Sequence, residues 1–357
     1  MSNIELLVNG SRYGGWTDIA VKRSMEAVSG AFDISLTERW AGQSKPWQIP
    51  AGSECAIFID GGQMITGYTD SIDASFDSGS HTVSIKGRDK TADMVDCSAV
   101  HSPDQWSNIK LDKLAAILAA PFGVTVRCDI DIGAAFTTVK LDHGETAYEA
   151  LERHARQRAA LLLPDRSGGL IITHPGSQRA SVKLEQGVNV LSANGGIDFS
   201  SRFSDYIIKG QSPGNADTDP DLSAHIEATT SDSRIKRYRP LIVQAEALQD
   251  NGSAKDRAAW ELNVRRGRSA KATVTVQDWR QMPGGDLWDI NMLVRVHLPW
   301  LQINGEMMIS SVTFKKSNGG TLTDLEIASP KAFQPDITSE KPRKRKEKEN
   351  DEDWDSW

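Results

Sequence analysis

Two stretches near opposite ends of the chain read alike. "GQMITGYTDSIDASFDSGSHTVSIKG" runs from Gly62 to Gly87, and "GEMMISSVTFKKSNGGTLTDLEIAS" runs from Gly305 to Ser329. Each opens Gly, then Gln or Glu, then Met, then a short apolar run. Each crosses a Ser/Gly or Asn-Gly turn and ends on an alternating strand, which is the pattern of a β-hairpin. Gly turns and alternating strands recur widely. The echo therefore poses two related β units as a question for the rest of the sequence.

The first part of the chain, to about Asp96, is rich in strand signals. "FDISLTE" puts Phe32, Ile34 and Leu36 on one face. "CAIFIDGGQMITGY" reads as strand, Gly-Gly turn, strand, and "HTVSIKG" sets Val83 and Ile85 inward. Short strands with Gly turns and no long helical period suggest a small barrel or sandwich. The character then changes. "SNIKLDKLAAILAAPFGV" carries Ile109, Leu114, Ile117 and Leu118 at helical spacing and stops at Pro121 and Gly123. In "HGETAYEALERHARQRAALLLPDRSGGLIITHPG", Thr146 and Glu149 fit a capping box, with Tyr148, Leu151, Ala155 and Leu162 as the apolar stripe. A turn at "PDRSGG" and a strand at "LIIT" complete a compact α/β insert ending near Gly187.

Strand character returns at "DYIIKG". "QSPGNADTDPDLSA" is rich in Pro, Asp and Gly and reads as an exposed loop. "RPLIVQAE" looks extended and "SAKDRAAWELNVRRGRS" helical. "AKATVTVQDWR" alternates Ala272, Val274 and Val276, and the next hairpin sets Val294, Val296 and Leu298 on one face. The end, "KPRKRKEKENDEDWDSW", is a basic block followed by an acidic one. With almost no apolar content it is expected to be disordered. It reads as a solvated tail, as a docking tail ending in Trp354 and Trp357, or as a nucleic-acid contact through Lys341 to Lys348.

Length and composition bound the function. A chain of 357 residues with 39% hydrophobic residues can bury two or three cores. A formal net charge of -7 argues against wholesale nucleic-acid binding. The most apolar helical stretch, "LAAILAAPFGV", falls short of the ~20 residues of a membrane span, and "MSNIELLVNG" has no signal-peptide pattern. Cys55, Cys97 and Cys128 are an odd, widely spaced set. They suit a reducing compartment and read as small buried thiols, with a nucleophilic cysteine as the alternative.

A search for chemistry returns nothing. The histidines (His81, His101, His143, His154, His174, His225 and His297) show no metal-ligand spacing. His154 and His297 read as solvent-facing. No phosphate loop, dinucleotide fingerprint or nucleophile elbow occurs, and carboxylates such as Asp129 and Asp131 are scattered. No catalytic, cofactor-binding or metal-ligating residue is assigned. Tryptophans at strand ends and turns (Trp16, Trp40, Trp47, Trp279, Trp288 and Trp300) read as caps of a core, as interface anchors, or as a sugar-stacking platform. The profile favours an assembly protein over an enzyme.

Particular segments then carry a resemblance. "NGSRYGGWTDIAVKRSMEAVSGAFDISLTERW", "KGRDKTADMVDCSAV", "RYRPLIVQAEA", "RAAWELNVRRGRS" and "VTVQDWRQMPGGDLWDINMLVRVHLPWLQINGEMMISSVTF" resemble, in this order, the baseplate hub proteins of Mu-like contractile phage tails. The similarity runs from about Ile4 to Phe333. It implies a mainly β chain with an α+β insert: two small β-barrels like those of tail-tube proteins, plus α/β middle domains. On that reading 1–96 is the first barrel and 97–187 the insert. Residues 188–265 form a connecting region of strand, exposed loop and helix, part of the second barrel and of a smaller domain; 266–335 is the second barrel and 336–357 a disordered charged tail.

The resemblance further implies a homotrimer whose six barrels form a ring of pseudo-six-fold symmetry. The ring would join the tail tube protein to the central spike protein, contact other baseplate proteins and nucleate baseplate assembly. It would leave a channel for DNA, with no cofactor and no membrane insertion, in a virion assembled in the host cytoplasm. Met64 and Met307 are then expected at corresponding places in the two barrels. The neighbouring readings are a spike-base protein of a type VI-like secretion system, and a carbohydrate-binding or cell-wall-degrading tail component. The second is motivated by the Trp count and by the loop Gln211 to Ala224.

Overall fold

The computed structural model describes residues 4–37, 49–76, 81–158, 160–176, 178–210, 226–245, 251–317 and 319–333. The chain is mainly β, as its alternation predicts. It opens with β1 (Ile4–Val8), β2 (Ser11–Tyr13), β3 (Asp18–Ser24), β4 (Ala31–Thr37), β5 (Glu54–Ile59), β6 (Gly62–Phe76) and β7 (His81–Asp89). Phe32, Ile34 and Ile85 are buried where alternation puts them. The β5–β6 turn is Asp60–Gly61 rather than the expected Gly-Gly pair. Both residues have positive φ (48° and 79°), the requirement of a tight hairpin turn that matches strand twist.

The insert follows. It comprises α1 (Thr91–Asp96), β8 (Gln105–Ile109), α2 (Leu111–Ala119), β9 (Val126–Cys128), β10 (Phe136–Lys140), α3 (Ala147–Gln157), β11 (Leu161–Pro164) and β12 (Leu170–Thr173). Strands β8 and β10 pair, as do β11, β12 and β9, around a separate core that includes Leu114, Leu118, Leu151 and Ile172. Thr146 caps α3. The Glu149 N–H donates to Thr146 Oγ1, and the Thr146 N–H donates to Glu149 Oε2. Ile109, expected on the helix, instead ends β8, and Leu111 takes the first buried place of α2. Asn108, with a positive φ, breaks the helical run before it begins.

Next come β13 (Gln178–Arg179), β14 (Leu184–Glu185) and β15 (Val190–Ile197). A small sheet of β16 (Asp205–Gly210), β17 (Ile226–Ser231) and β18 (Pro240–Ala245) packs with α4 (Asn251–Arg268). The chain then returns to the main sheet through β19 (Ala270–Gln277), β20 (Met292–Leu298), β21 (Ile303–Ser317) and β22 (Gly320–Ala328). The expected loop Gln211 to Ala224 and the charged tail lie outside the described residues.

The main sheet contains the answer to the sequence echo. Its order is β15-β19-β22-β21-β3-β4-β7-β6-β5-β1-β2, with β20 on β21 and both β13 and β14 on β20. The ladders β3-β4-β7-β6-β5 are repeated as β15-β19-β22-β21-β20, every neighbour antiparallel in both sets. The register repeats too. Tyr68↔Arg88 matches Met308↔Ala328, and Ile34↔Ile85 matches Val274↔Leu325. The bulge residue skipped in β6, Asp70, matches Ser310 in β21, an offset of 240 residues.

Two expectations change here. Neither half closes into its own barrel among the described residues. The outer edge of β3 is taken by Ser311 to Lys316 of β21, so the halves fuse into one open sheet with one shared core. Second, Met64 and Met307 are both buried but do not share a ladder position. Met64 lies six residues before its bulge at Asp70, and Met307 three before Ser310. A second bulge lies at Met64 itself, and the ladder place of Met307 is held by Gly67: Cys55↔Gly67 matches Val294↔Met307.

Candidate functional site

A cleft of about 370 Å³ lies where the two half-sheets meet the insert. Arg23 reaches it from the end of β3, Gln63 from β6, Arg127 and Asp129 from β9 and the residue after it, Arg166 from the β11–β12 turn, and Asp289 from the approach to β20. Asp289 is the centre of charge. Arg23 Nη1 donates to its Oδ1, and Arg166 Nη2 donates to its Oδ2 at 2.8 Å. Burial would push this carboxyl up, but the two guanidiniums outweigh it and hold it below its ordinary value. The second arm of Arg23 donates to the Pro164 carbonyl at 2.7 Å. Asn291 Nδ2 donates to the His174 carbonyl and its Oδ1 accepts from the Gly176 N–H. These groups tie the insert to both half-sheets. Arg23, Arg166 and Asp289 thus satisfy one another across the junction.

Behind the cleft, Asp89 ends β7 in the interior. It accepts from the Gly30 N–H at 2.5 Å, from the Thr91 N–H at 3.2 Å and from Thr91 Oγ1. Burial raises its pKa from the ordinary 3.8 to about 6, against the pull of those donors and of Arg23. The native state therefore holds this proton more tightly than the unfolded chain. The stability linked to it is present below the unfolded pKa and is lost as pH rises through about 6. The wild type should lose about 2–2.5 kcal/mol relative to Asp89→Asn between pH 4 and 8, read from urea midpoints at each pH. A flat difference would show that Asp89 titrates normally.

A second ionic centre lies in the small sheet. Asp232 is fully buried. Its Oδ2 accepts from Arg202 Nε at 3.0 Å and Nη2 at 2.6 Å, and its Oδ1 accepts from Arg266 Nη2 at 3.1 Å. Burial works against the charge, yet the two arginines hold the pKa below its ordinary value.

The residues singled out from sequence scatter. His154 is buried, contrary to the expected solvent face. Its helix face is shared with Ala147, Ala150 and Leu151, and its ring packs edge-on to Phe136 with Nδ1 at 2.7 Å from the Ala150 carbonyl oxygen. Burial lowers its pKa. His297 is exposed, as read. Cys55 is buried, and burial pushes its thiol up to about 12. Cys97 is exposed and Cys128 half-buried, so the reading of all three as buried thiols holds for Cys55 alone. Asp129 pairs with Arg127. Trp16, Trp279 and Trp288 are core residues, whereas Trp300 is exposed; Trp40 and Trp47 lie outside the described residues. Among the described residues no three His, Cys, Asp or Glu side chains come together as a metal site, and no helix is long and apolar enough to cross a membrane.

What repeats in this molecule is therefore a five-stranded ladder, β3-β4-β7-β6-β5 and again β15-β19-β22-β21-β20. Known proteins are similar to the chain along nearly its whole length. The Baseplate hub protein gp44 of Escherichia phage Mu is 33% identical over 355 residues, covering 97% of this chain and 93% of that protein. This chain belongs to that baseplate hub family. It is thus a structural component of a phage tail baseplate. Family models agree by segment. Residues 3–89 match the Mu phage baseplate assembly protein GpP-like N-terminal domain, 91–174 the baseplate hub protein gp44-like second domain, and 251–336 the GpP fourth domain.

Among solved structures, the 43 kDa tail protein of prophage MuSo2 from Shewanella oneidensis matches with a TM-score of 0.84 and 37% identity, covering 93% of this chain and 99% of that one. The tail protein of Neisseria meningitidis MC58 shares the fold at a TM-score of 0.76 and 22% identity, covering 94% and 99%. A type VI secretion component of E. coli shares it more distantly, at a TM-score of 0.52 and 8% identity, covering 90% and 76%.

Proposed function

We propose that this hub protein is a homotrimer whose six half-sheets form a ring of pseudo-six-fold symmetry around a channel for DNA. The ring joins the tail tube protein to the central spike protein and nucleates assembly of the other baseplate proteins. The observation that carries the reading is the internal repeat: one ladder order and one register written twice in a single sheet. Three copies of a chain with two equivalent modules offer six near-equivalent positions to a tube and three identical ones to a spike. The similarity to tail proteins, and at fold level to a type VI component, supports the same role.

In this reading the chain divides at about 96, 187, 265 and 335. The two outer blocks together with β15 build the ring, the insert and the rest of the connecting region flank it, and the hub acts by geometry rather than catalysis. A net charge of -7 suits a wall that does not retain DNA phosphates. Light scattering of the purified full chain is expected to give three times the monomer mass of 39.1 kDa, and negative-stain images an annulus. A strict monomer at high concentration would refute the assembly.

A further inference from the structure

The loop between β17 and β18 is a basic surface that the hub reading does not use. Residues 233–239 read SRIKRYR, four cations with no carboxylate among them. The loop is firmly seated. Asp232 at its start accepts from Arg266 of α4, and Ile235 is buried. Arg239 at its end donates to the Ser200 carbonyl at 2.7 Å and to the Arg202 carbonyl at 3.1 Å. Between these anchors Lys236, Arg237 and Tyr238 stand in solvent, with Tyr238 87% exposed. Arginine and tyrosine are the residue types enriched where a partner docks. The root of an acidic segment lies close by. The helical turn Pro330–Phe333 rests on α4, so closely that a Cβ at Gly267 would collide with the backbone of Ala332. Arg266, one residue earlier, is the one that holds Asp232. Adjacent residues of one helical turn thus touch the base of the basic loop and the root of residues 334–357.

We infer that residues 351–357, DEDWDSW, dock on Lys236, Arg237 and Tyr238 of their own chain. Asp351, Glu352, Asp353 and Asp355 face the two cations, and Trp354 packs on the Tyr238 ring. Three observations choose this occupant. The charges are complementary, and each side carries an aromatic residue among its charges. The reach is sufficient: residues 334–350 extend to ~60 Å, and Arg237 is only five residues from Asp232. The loop is also ordered beforehand, so only one side loses freedom on docking. The basic stretch Lys341 to Lys348, beside the acidic run, offers charge without a preset geometry and without a ring to stack on. Docking would cover a patch that otherwise attracts phosphates. It does not depend on the proposed ring.

The test compares the full wild-type chain with two variants. One has a neutral tail: Asp351→Asn, Glu352→Gln, Asp353→Asn and Asp355→Asn. The other has a neutral loop, Lys236→Gln with Arg237→Gln; both loop positions are exposed, so its thermal unfolding should match that of the wild type. Acetylation of Lys236 by an N-hydroxysuccinimide ester is followed by mass spectrometry, with the exposed Lys113 of the insert as reference. At ~20 mM salt it is expected to be about threefold slower in the wild type than in the neutral-tail variant, since the linker holds the acidic run at roughly millimolar effective concentration. At about 1 M salt the difference should vanish. Cutting after Glu352 by a glutamate-specific protease should be slower in the wild type than in the neutral-loop variant by a similar factor. Equal Lys236 rates in wild type and neutral-tail variant would overturn the docking. Protection of Glu352 that persists in the neutral-loop variant would also overturn it, by assigning the acidic run to its own basic stretch. A labelled DNA oligonucleotide that binds wild type and neutral-tail variant equally, and the neutral-loop variant not at all, would make the loop a nucleic-acid site instead.

Discussion

Replacing Asp232 with Ala is expected to cost about 3–5 kcal/mol of stability in the unit built from β16–β18 and α4, the range for leaving a buried charge without its partner. The side chains of Asp232 and Arg202 are 0% and 3% exposed, and Arg266 shares the same carboxylate. Removing Asp232 strands the Arg202 guanidinium in the interior, stacked on Phe199 and no longer neutralised. The apolar core of this unit cannot compensate. Its central cluster is Ile208, Ala228, Ala254 and Ala258, three of them alanines. Further ionic ties hold the helix surface, with Arg257 and Arg265 each 3.0 Å from Glu261.

Hydrogen exchange is the direct readout. Amides of Tyr206 to Lys209 should lose protection in Asp232→Ala while those of β19 and β22 keep theirs. Because the carboxylate is held below its ordinary pKa, the tie is intact at neutral pH and weakens on acidification through the carboxylate range. The loss caused by Asp232→Ala should therefore shrink at low pH. Unchanged protection at neutral pH would show that the network contributes little.

The fold was legible in the sequence where one face of a strand is apolar. Phe32 and Ile34 in β4, and Ala272, Val274 and Val276 in β19, alternate cleanly and lie buried at matching places of the repeat. The capping box at Thr146 was equally legible, because both partners lie within one turn. What alternation does not carry is which edge meets which. The β3–β21 joint links residues nearly three hundred positions apart, and either edge of β3 has the same side chains on its faces. Closure of each half into a barrel was therefore a natural expectation, and the sheet instead runs on. Bulges also escape periodicity. One lies at Met64 itself, and the ladder place of Met307 is held by Gly67 although the letters around the two methionines agree. His154 was misread for a related reason: one imidazole in a charged helix looks solvated until the Ala-rich face beneath it is known to be buried.

The ionic centres were invisible for want of any local signature. Asp289 meets Arg23 across 266 residues of sequence and Arg166 across 123. Each is an unremarked charge on its own stretch of chain. These long-range ties sit where the insert attaches to the main sheet. Removing one partner of a buried pair leaves the other charge uncompensated, so each tie can be tested at a single residue.

That argument gives the second large effect. Asp289→Ala is expected to lower stability by about 3 kcal/mol, the lower part of the buried-pair range because the Asp289 side chain is 25% exposed while Arg23 is 5% exposed. Arg23 would keep the Pro164 carbonyl and lose its counter-charge; Arg166 would be released from the junction. The insert has its own core and should remain folded. Its attachment to the main sheet should loosen, so new proteolytic cuts are expected in the turn Asp165–Gly168 and in the segment leading to β13, ahead of any cut in the sheet. Arg23→Ala and Asp289→Ala should be strongly non-additive, because either change removes the same pair. Additive losses would mean that the two residues act separately and that the junction is held by its apolar contacts.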